Sequence, residues 1–454
     1  MPALTLATRL RSLCGHQGTL RQHLARGAAG SAVLALSSRL LMLLTSVALA
    51  RWMGAEGYGV YATAIALVLL LTVPTGLGLP TLMIRFLASY QVHQQWGLMR
   101  GLLVRGNQVV LGASLLTAAI ASIAIWGFAG RFGIDSAATY SLALVLIPLT
   151  ALGALRSAAL RGLHHVILGQ LPENLIMPGL FLALVVGWWL AQGYSATLSP
   201  EWAIVARIAA TGVAFGIGAA LFLRRIPEPV RKAAPKYELG VWGRSALPLL
   251  FIAGMNVINT QTDILMLAAL RGSESAGVYQ AAARGAELVA FSLVIVNMAI
   301  QPTISRLHTD GDIQRLQRVV TMAARVTLAL ALPVALVLIF LARPILGWVF
   351  GGEFERGALC LAILCGAQLV NVVAGPVALI LNMTGYERDS AIGMMVGVLT
   401  NLTLNALLIP RWDIEGAAFA TGLSLALWNL VLIGILRRRI GVSTTVIGHS
   451  RMLR

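Results

Sequence analysis

Twelve stretches of this chain are apolar enough, and about long enough, to cross a bilayer, and that ladder decides what it can fold into. A span needs roughly 20 apolar residues. Windows of that size centre on 31–53, 58–79, 107–129, 137–156, 166–191, 201–223, 245–269, 274–303, 317–342, 357–382, 390–409 and 414–436. The expected fold is an all-α polytopic membrane protein with about 12 transmembrane helices. Composition agrees, with 58% of residues apolar and 11% charged. An ordinary soluble domain carries roughly 25% charged residues, so a soluble fold is excluded.

The loop charges set an orientation. When loops are assigned alternately to two sides, one side holds only Arg131, Arg271, Arg343, Arg356 and Arg411. The other side takes both tails and the rest of the Lys and Arg, except Arg39, Arg51, Arg207, Arg284 and Arg325, which lie within or at the rims of spans. Basic loops stay in the cytoplasm, so both termini are expected there. Topology thereby accounts for the net charge of +17, and no nucleic-acid partner is expected. Residues 1–30 carry Arg9, Arg11, Arg21 and Arg26 without an acid or an apolar core and cleavage site, which predicts a cytoplasmic tail rather than a secretory signal. Cys14, Cys360 and Cys365 are too few for a disulfide framework and read as packing residues.

The most basic loop also divides the chain. Residues 224–244 hold Arg224, Arg231, Lys232, Lys236 and Arg244 together with Pro227, Pro229 and Pro235, and six apolar windows lie on either side. The expected domains are a tail (1–30), an N-lobe (31–223), this linker (224–244), a C-lobe (245–436) and a second tail (437–454). An internal repeat supports the division. Gly54-Ala-Glu56-Gly-Tyr-Gly59-Val60-Tyr61 recurs as Gly272-Ser-Glu274-Ser-Ala-Gly277-Val278-Tyr279, 218 residues later. Pro80-Thr81 with Arg85 is echoed by Pro302-Thr303 with Arg306, and Ala210-Thr211-Gly212 by Ala420-Thr421-Gly422. Two homologous six-helix lobes follow, in the same orientation because six is even.

No phosphate-binding glycine loop, H-E-x-x-H or Cys/His cluster is present, so no enzyme, nucleotide engine, cofactor or metal is expected. His164-His165 fits a solvated loop pair better than a pH sensor. The informative residues are ionisable groups inside spans, which are costly in hydrocarbon and usually face a bundle interior or a watery cavity. Arg39 lies in the first span. Arg284 and Glu287 are three apart on one face of the eighth, and Asn256, Asn259 and Asp263 form a polar stripe on the seventh. Long arginine stems also snorkel to the interface, the expectation for Arg207 and Arg325 and an even alternative for Arg39. For Arg284, Glu287 and Asp263 the alternative is a structural ion-pair cluster, and Glu173 after Pro172 fits a helix first turn.

Near the C-terminus the chain reads Asn401-Leu-Thr-Leu-Asn405-Ala-Leu-Leu-Ile-Pro410-Arg-Trp-Asp-Ile-Glu-Gly416-Ala417-Ala418-Phe-Ala420-Thr421. This segment resembles the polysaccharide and lipid-linked oligosaccharide flippases of the multidrug/oligosaccharidyl-lipid/polysaccharide exporter superfamily. Ala50-Arg51-Trp-Met-Gly54, Glu56-Gly57-Tyr58-Gly59, Gly76-Leu77-Gly78-Leu79-Pro80 with Arg85, and Phe350-Gly351 through Phe354 resemble the same family. One departure is Trp412-Asp413-Ile414, where relatives commonly place a glycine. The resemblance implies a carrier of the bacterial inner membrane that moves polyprenyl-diphosphate-linked glycans to the outer leaflet by alternating access. It also implies partners among membrane lipids, glycan polymerases and glycosyltransferases. Arg39, Arg85 and Arg284 would be its cavity cations, with Asn256 and Asn259 as further cavity candidates and Asp263 and Glu287 as ion-coupling or ion-pair residues. A cation-coupled drug antiporter of the same fold would work through those acids, and a nontransporting scaffold of a glycan synthase would need neither set.

Overall fold

The computed structural model describes the backbone of residues 3–132, 136–193 and 197–446, with side chains from residue 30 onward except at 31, 32 and 128–135. Cys14, the arginines of the first 30 residues, Arg131, Arg451 and Arg454 lie outside the described side chains. Among the described residues every element is helical. They are α1 (Ala3–Gly76), α2 (Leu79–Val92), α3 (Trp96–Phe132), α4 (Ala137–Ala143), α5 (Leu146–Gly162), α6 (Val166–Leu171), a π turn (Pro172–Ile176), α7 (Met177–Gln192) and α8 (Pro200–Arg225). After α9 (Glu228–Lys232) come α10 (Leu239–Arg271), α11 (Ser273–Thr309), α12 (Ile313–Phe340), α13 (Ala342–Val349), a 3-10 turn (Gly352–Gly357), α14 (Ala358–Ala374), α15 (Val377–Met383) and α16 (Glu387–Arg439).

Among the described residues, ten helical runs are long and apolar enough to cross a membrane. Two of them are far too long for a single crossing. From Val33 onward α1 spans 44 residues, and α16 has 53, about 66 and 80 Å at 1.5 Å per residue against a hydrocarbon core of roughly 30 Å. Each contains one non-helical residue, Gly54 (φ 72°, ψ 180°) in α1 and Asp413 (φ 48°, ψ −126°) in α16. The windows 31–53 and 58–79 flank the first break, and 390–409 and 414–436 flank the second. The left-handed φ at Asp413 gives a physical reason for glycine at this place in relatives. Aspartate tolerates that region better than most residues, and here its Oδ2 accepts from Ser275 Oγ at 2.9 Å.

The repeated motif adopts one conformation twice. Gly272, between α10 and α11, has φ 93° and ψ 172°, close to Gly54. The two copies then pack on each other. A Cβ on Gly59 would meet the backbone of Ser273 and lie 2.9 Å from Gly277 N, and one on Gly277 would meet Ala55 O and lie 2.9 Å from Gly59 N. Residues 55 and 59 are the repeat partners of 273 and 277, so the contact is reciprocal and backbone to backbone. At the same end of the bundle Glu353 Oε2 accepts from Ala55 N at 2.8 Å, capping the helix that restarts after Gly54. Arg51 donates from Nε to Val349 O at 2.9 Å and from Nη2 to Trp348 O.

At the opposite end, each half is closed by a strap that follows its last long helix, the first of them containing the short α9. After Arg224-Arg225, Val230 is buried among α2, α3 and α5. Arg100 donates to Arg231 O (2.8 Å) and Ala233 O (2.7 Å), and Lys236 N to Gly97 O (2.9 Å). After Arg437-Arg438, Val442 is fully buried among α11, α12, α14, α15 and α16. Gln317 there holds Ser443 in both directions, Nε2 to O at 2.6 Å and Oε1 from N at 2.7 Å. Residues 224–244 thus lie against the N-terminal half instead of hanging between two bodies. The first turns of α10 join that core as well, with Trp242 Nε1 donating to Tyr90 OH at 2.9 Å and Ala246 against Gly78.

Candidate substrate cavity

Two cavities in tandem lie where α1 meets α11. Arg39, Met42, Leu43 and Ser46 recur at helical spacing along the face of α1 before Gly54 that lines these cavities. The first cavity, about 400 Å³, opens between α1 and α11 and is lined by Arg39, Leu40, Leu43, Arg284, Glu287 and Phe291. The second, about 240 Å³, lies toward the Gly54 break, where Ser46, Tyr58, Tyr61, Arg207, Gln261 and Gln280 give it a polar and aromatic wall. Arg284 borders both. One chamber is therefore mostly apolar with cations at its wall, and the other is rich in donors and acceptors.

The three cavity arginines are held differently. Arg284 Nη1 reaches both carboxylate oxygens of Glu287, at 3.0 and 3.1 Å, across a single helical turn. Arg39 stands 5.8 Å from the Phe291 ring centroid. Arg207 donates from Nη1 to Tyr61 OH at 2.9 Å and lies 5.6 Å over the Phe181 ring. Among the described residues neither Arg39 nor Arg207 forms an ion pair. The Arg207 guanidinium is engaged inside the bundle by Tyr61 and Phe181, where its sequence position alone suggests snorkelling. Arg325 is exposed, with Nε donating to Val446 O at 3.2 Å.

Asp263 occupies a separate place, buried between α10, α11 and α16. Its Oδ1 accepts from Asn405 Nδ2 at 2.6 Å and Asn401 Nδ2 at 3.1 Å, and its Oδ2 from Tyr279 OH and Thr421 Oγ1, both at 2.6 Å. Four neutral donors satisfy the carboxylate, and among the described residues no arginine pairs with it, so Asp263 does not join the Arg284–Glu287 pair. The amides come from the Asn401–Asn405 segment that carries the family resemblance. Among the described residues no group of three His, Cys, Asp or Glu could hold a metal ion. Arg85 lies exposed on α2, and Asn256 and Asn259 lie on α10, all outside the walls of the two cavities. Arg85 is on a helix instead of in a loop because Leu77 and Gly78 turn the chain with positive φ and Pro80 starts α2. In the turn between α5 and α6, burial, Arg225 and His164 hold the His165 imidazole below its usual range. Cys360 and Cys365 are buried and free on α14.

The sequence reading missed Tyr58, Tyr61, Gln261 and Gln280 as wall residues. The signal for Tyr61 was the repeat, since Tyr61 and Tyr279 are equivalent and each anchors a charged side chain, Arg207 and Asp263, whereas Tyr58 corresponds to Ala276. Gln261 and Gln280 gave no such signal, because an isolated glutamine near a helix end fits a rim as well as a cavity.

Comparison with known proteins places this architecture. The family model for polysaccharide biosynthesis proteins matches residues 24–308, and that for the lipid II flippase MurJ matches residues 219–451. A probable low-salt glycan biosynthesis flippase, Agl15 of Haloferax volcanii, is 26% identical over 250 residues, 54% of this chain and 51% of that protein. The uncharacterized membrane protein YabM of Bacillus subtilis is 28% identical over 186 residues, covering 40% of this chain and 34% of its own. The chain thus spans about half the length, or less, of these curated relatives. Among solved structures, an inward-facing multidrug resistance transporter of the MATE family has a TM-score of 0.69 at 14% identity, covering 90% of this chain and 98% of its own. Lipid II flippase MurJ in an inward closed conformation has a TM-score of 0.68 at 15% identity, covering 89% and 87%. With more than half of its length matched by the first family model and the same fold as MATE and MurJ carriers, this polytopic inner-membrane chain belongs to the polysaccharide biosynthesis protein family of the multidrug/oligosaccharidyl-lipid/polysaccharide exporter superfamily.

Proposed function

We propose that the protein flips a polyprenyl-diphosphate-linked oligosaccharide from the cytoplasmic to the outer leaflet by alternating access between two six-helix lobes, residues 31–223 and 245–436. Twelve spans result when α1 and α16 are divided at Gly54 and Asp413. The observation that carries the reading is the tandem cavity. An apolar chamber with an uncompensated guanidinium, open between α1 and α11, adjoins a polar one across Met42 and Arg284, the order of parts in a prenyl tail, a diphosphate and a glycan. Arg39 offers a planar fork for phosphate oxygens, and Glu287 holds Arg284 in place beside it. The tail can stay in lipid outside the opening.

The arginine bias puts the strap end in the cytoplasm and the Gly54 end outside. With Gly59 on Gly277 and Glu353 on Ala55, the outer end is shut, so this conformation receives substrate from the cytoplasmic leaflet. A drug antiporter would need acids facing the cavity. Asp263 is enclosed by four donors outside it and Glu287 is committed to Arg284, which favours the flippase. Enzymes that build and polymerise the glycan are its expected neighbours. The test is transfer of a fluorescent undecaprenyl-diphosphate glycan across vesicles holding the purified protein, read by its access to a quencher outside. Transfer above protein-free vesicles is expected. No transfer, together with efflux of cationic dyes, would replace this reading with the antiporter.

A further inference from the structure

We infer that the transported glycan carries a carboxylate-bearing sugar, such as a hexuronic acid, and that Arg207 receives that carboxylate; the inference rests on the flippase reading for its substrate. Arg207 lines the deeper, polar chamber, and its two contacts there are neutral, the Tyr61 hydroxyl at 2.9 Å and the Phe181 face at 5.6 Å. Its Nη2 and Nε make no hydrogen bond among the described residues, which leaves one edge of the fork free for a bidentate carboxylate. An ionised group inside a membrane protein without a counter-charge is costly, and its retention marks a function. The neighbouring arginine supplies the contrast. Arg284 borders the same chamber and is neutralised within one helical turn by Glu287, so a cavity arginine here acquires an acid partner when none is supplied from outside.

Position separates Arg207 from the diphosphate. Arg39 lines the first chamber alone and Arg207 the second alone, with Met42 and Arg284 at the border between them, and Ser46, beside Tyr58 in the deeper chamber, follows Arg39 by seven residues, about 10 Å along the helix. That exceeds the reach of two linked phosphates and matches the place of the first sugars. For a purely neutral glycan the chamber has enough donors and acceptors without a second cation, in Gln261, Gln280 and Ser46. The Phe181 and Tyr61 rings hold the guanidinium from one side and keep its fork turned inward.

The experiment uses the full chain in vesicles and two fluorescent probes, undecaprenyl diphosphate bearing the same disaccharide except that the outer sugar is glucuronic acid or glucose. Wild-type protein is expected to flip the acidic probe at least tenfold faster. R207Q should remove that preference by slowing the acidic probe about tenfold while leaving the neutral one within twofold, and R207K should keep part of it. Equal rates in wild type, or an equal loss for both probes in R207Q, would overturn the inference and reduce Arg207 to a tie between α8 and Tyr61. If neither probe is flipped, thermal stabilisation of the detergent-solubilised protein decides. A shift by the acidic probe alone, lost in R207Q, keeps the carboxylate site while the flippase reading fails, and no difference between probes rejects both.

Discussion

A guanidinium inside a membrane bundle is defined by what stands opposite it. Arg284 has Glu287, Arg207 has Tyr61 and Phe181, and Arg39, without an ion pair among the described residues, stands beside Phe291 at the edge of an apolar chamber. Arg39 is therefore the freest cation at the opening. Replacing it with alanine should cut flipping at least tenfold with protein abundance unchanged. Lysine should restore part of the rate, since it keeps the charge and loses the planar fork. Transport at the wild-type rate with alanine would make Arg39 a snorkelling side chain. These in-span charges were legible in the sequence because a charge among apolar residues is conspicuous. Which way each one faces was not. Arg207 and Arg325 look alike to hydropathy, yet one is turned inward by Tyr61 and the other lies exposed beside Val446. Asn256 and Asn259 share a stripe with Asp263 by spacing, but the cavity wall on α10 is Gln261, a residue off that stripe.

Among elements, the breaks and the straps divide what a sequence can reveal. The recurrence of Gly54 through Tyr61 at Gly272 through Tyr279 was readable, and the structure gives both glycines the same extended, positive-φ conformation. The straps carry no sustained helical or strand periodicity, α9 being only five residues long. They are fixed by contacts to strap backbone, as between Lys236 and Gly97, and by a few buried side chains, Val230 in the first and Val442, Ser443 and Thr444 in the second, so the sequence of 224–244 shows only a basic linker between two halves. Val230 and Val442 play matching parts, each filling the core at the strap end of its own half. Truncating either to alanine should cost roughly 1–3 kcal/mol, read as a lower unfolding midpoint in detergent. Surface substitutions such as Lys232→Ala, whose pair with Glu228 is largely exposed, should leave the midpoint unchanged. Equal midpoints for Val442→Ala and wild type would mean that the C-terminal strap does not contribute to the stability of its half.

For the whole molecule, closure at the end that carries the Gly54 and Gly272 breaks depends on two backbones meeting at Gly59 and Gly277. Alanine at either position places a Cβ on the opposing backbone, where neither side can yield as a flexible side chain would. Both variants should fold, lose transport, and lower the yield of a disulfide between cysteines introduced at Ala55 and Ser273; normal transport in both would mean that this contact is not required in the cycle. Direction is a separate matter, since the sequence contains no nucleotide-binding loop to drive it. A membrane negative inside favours outward movement of negative charge by about 2.3 kcal/mol per charge per 100 mV. A diphosphate and an acidic sugar would exploit this if the cavity cations stay fixed in the field while the substrate passes them, and would not if Arg39 and Arg207 travelled the same distance. Both arginines sit on membrane-spanning helices, α1 and α8, whose rocking moves them less than a full crossing. Collapsing the potential with an ionophore at constant pH should therefore slow flipping in vesicles more than removing the pH gradient at a clamped potential. Dependence on the pH gradient alone, abolished by Asp263→Asn or Glu287→Gln, would instead assign the driving force to proton antiport, with the Asp263 cluster exchanging its enclosed donors in each cycle.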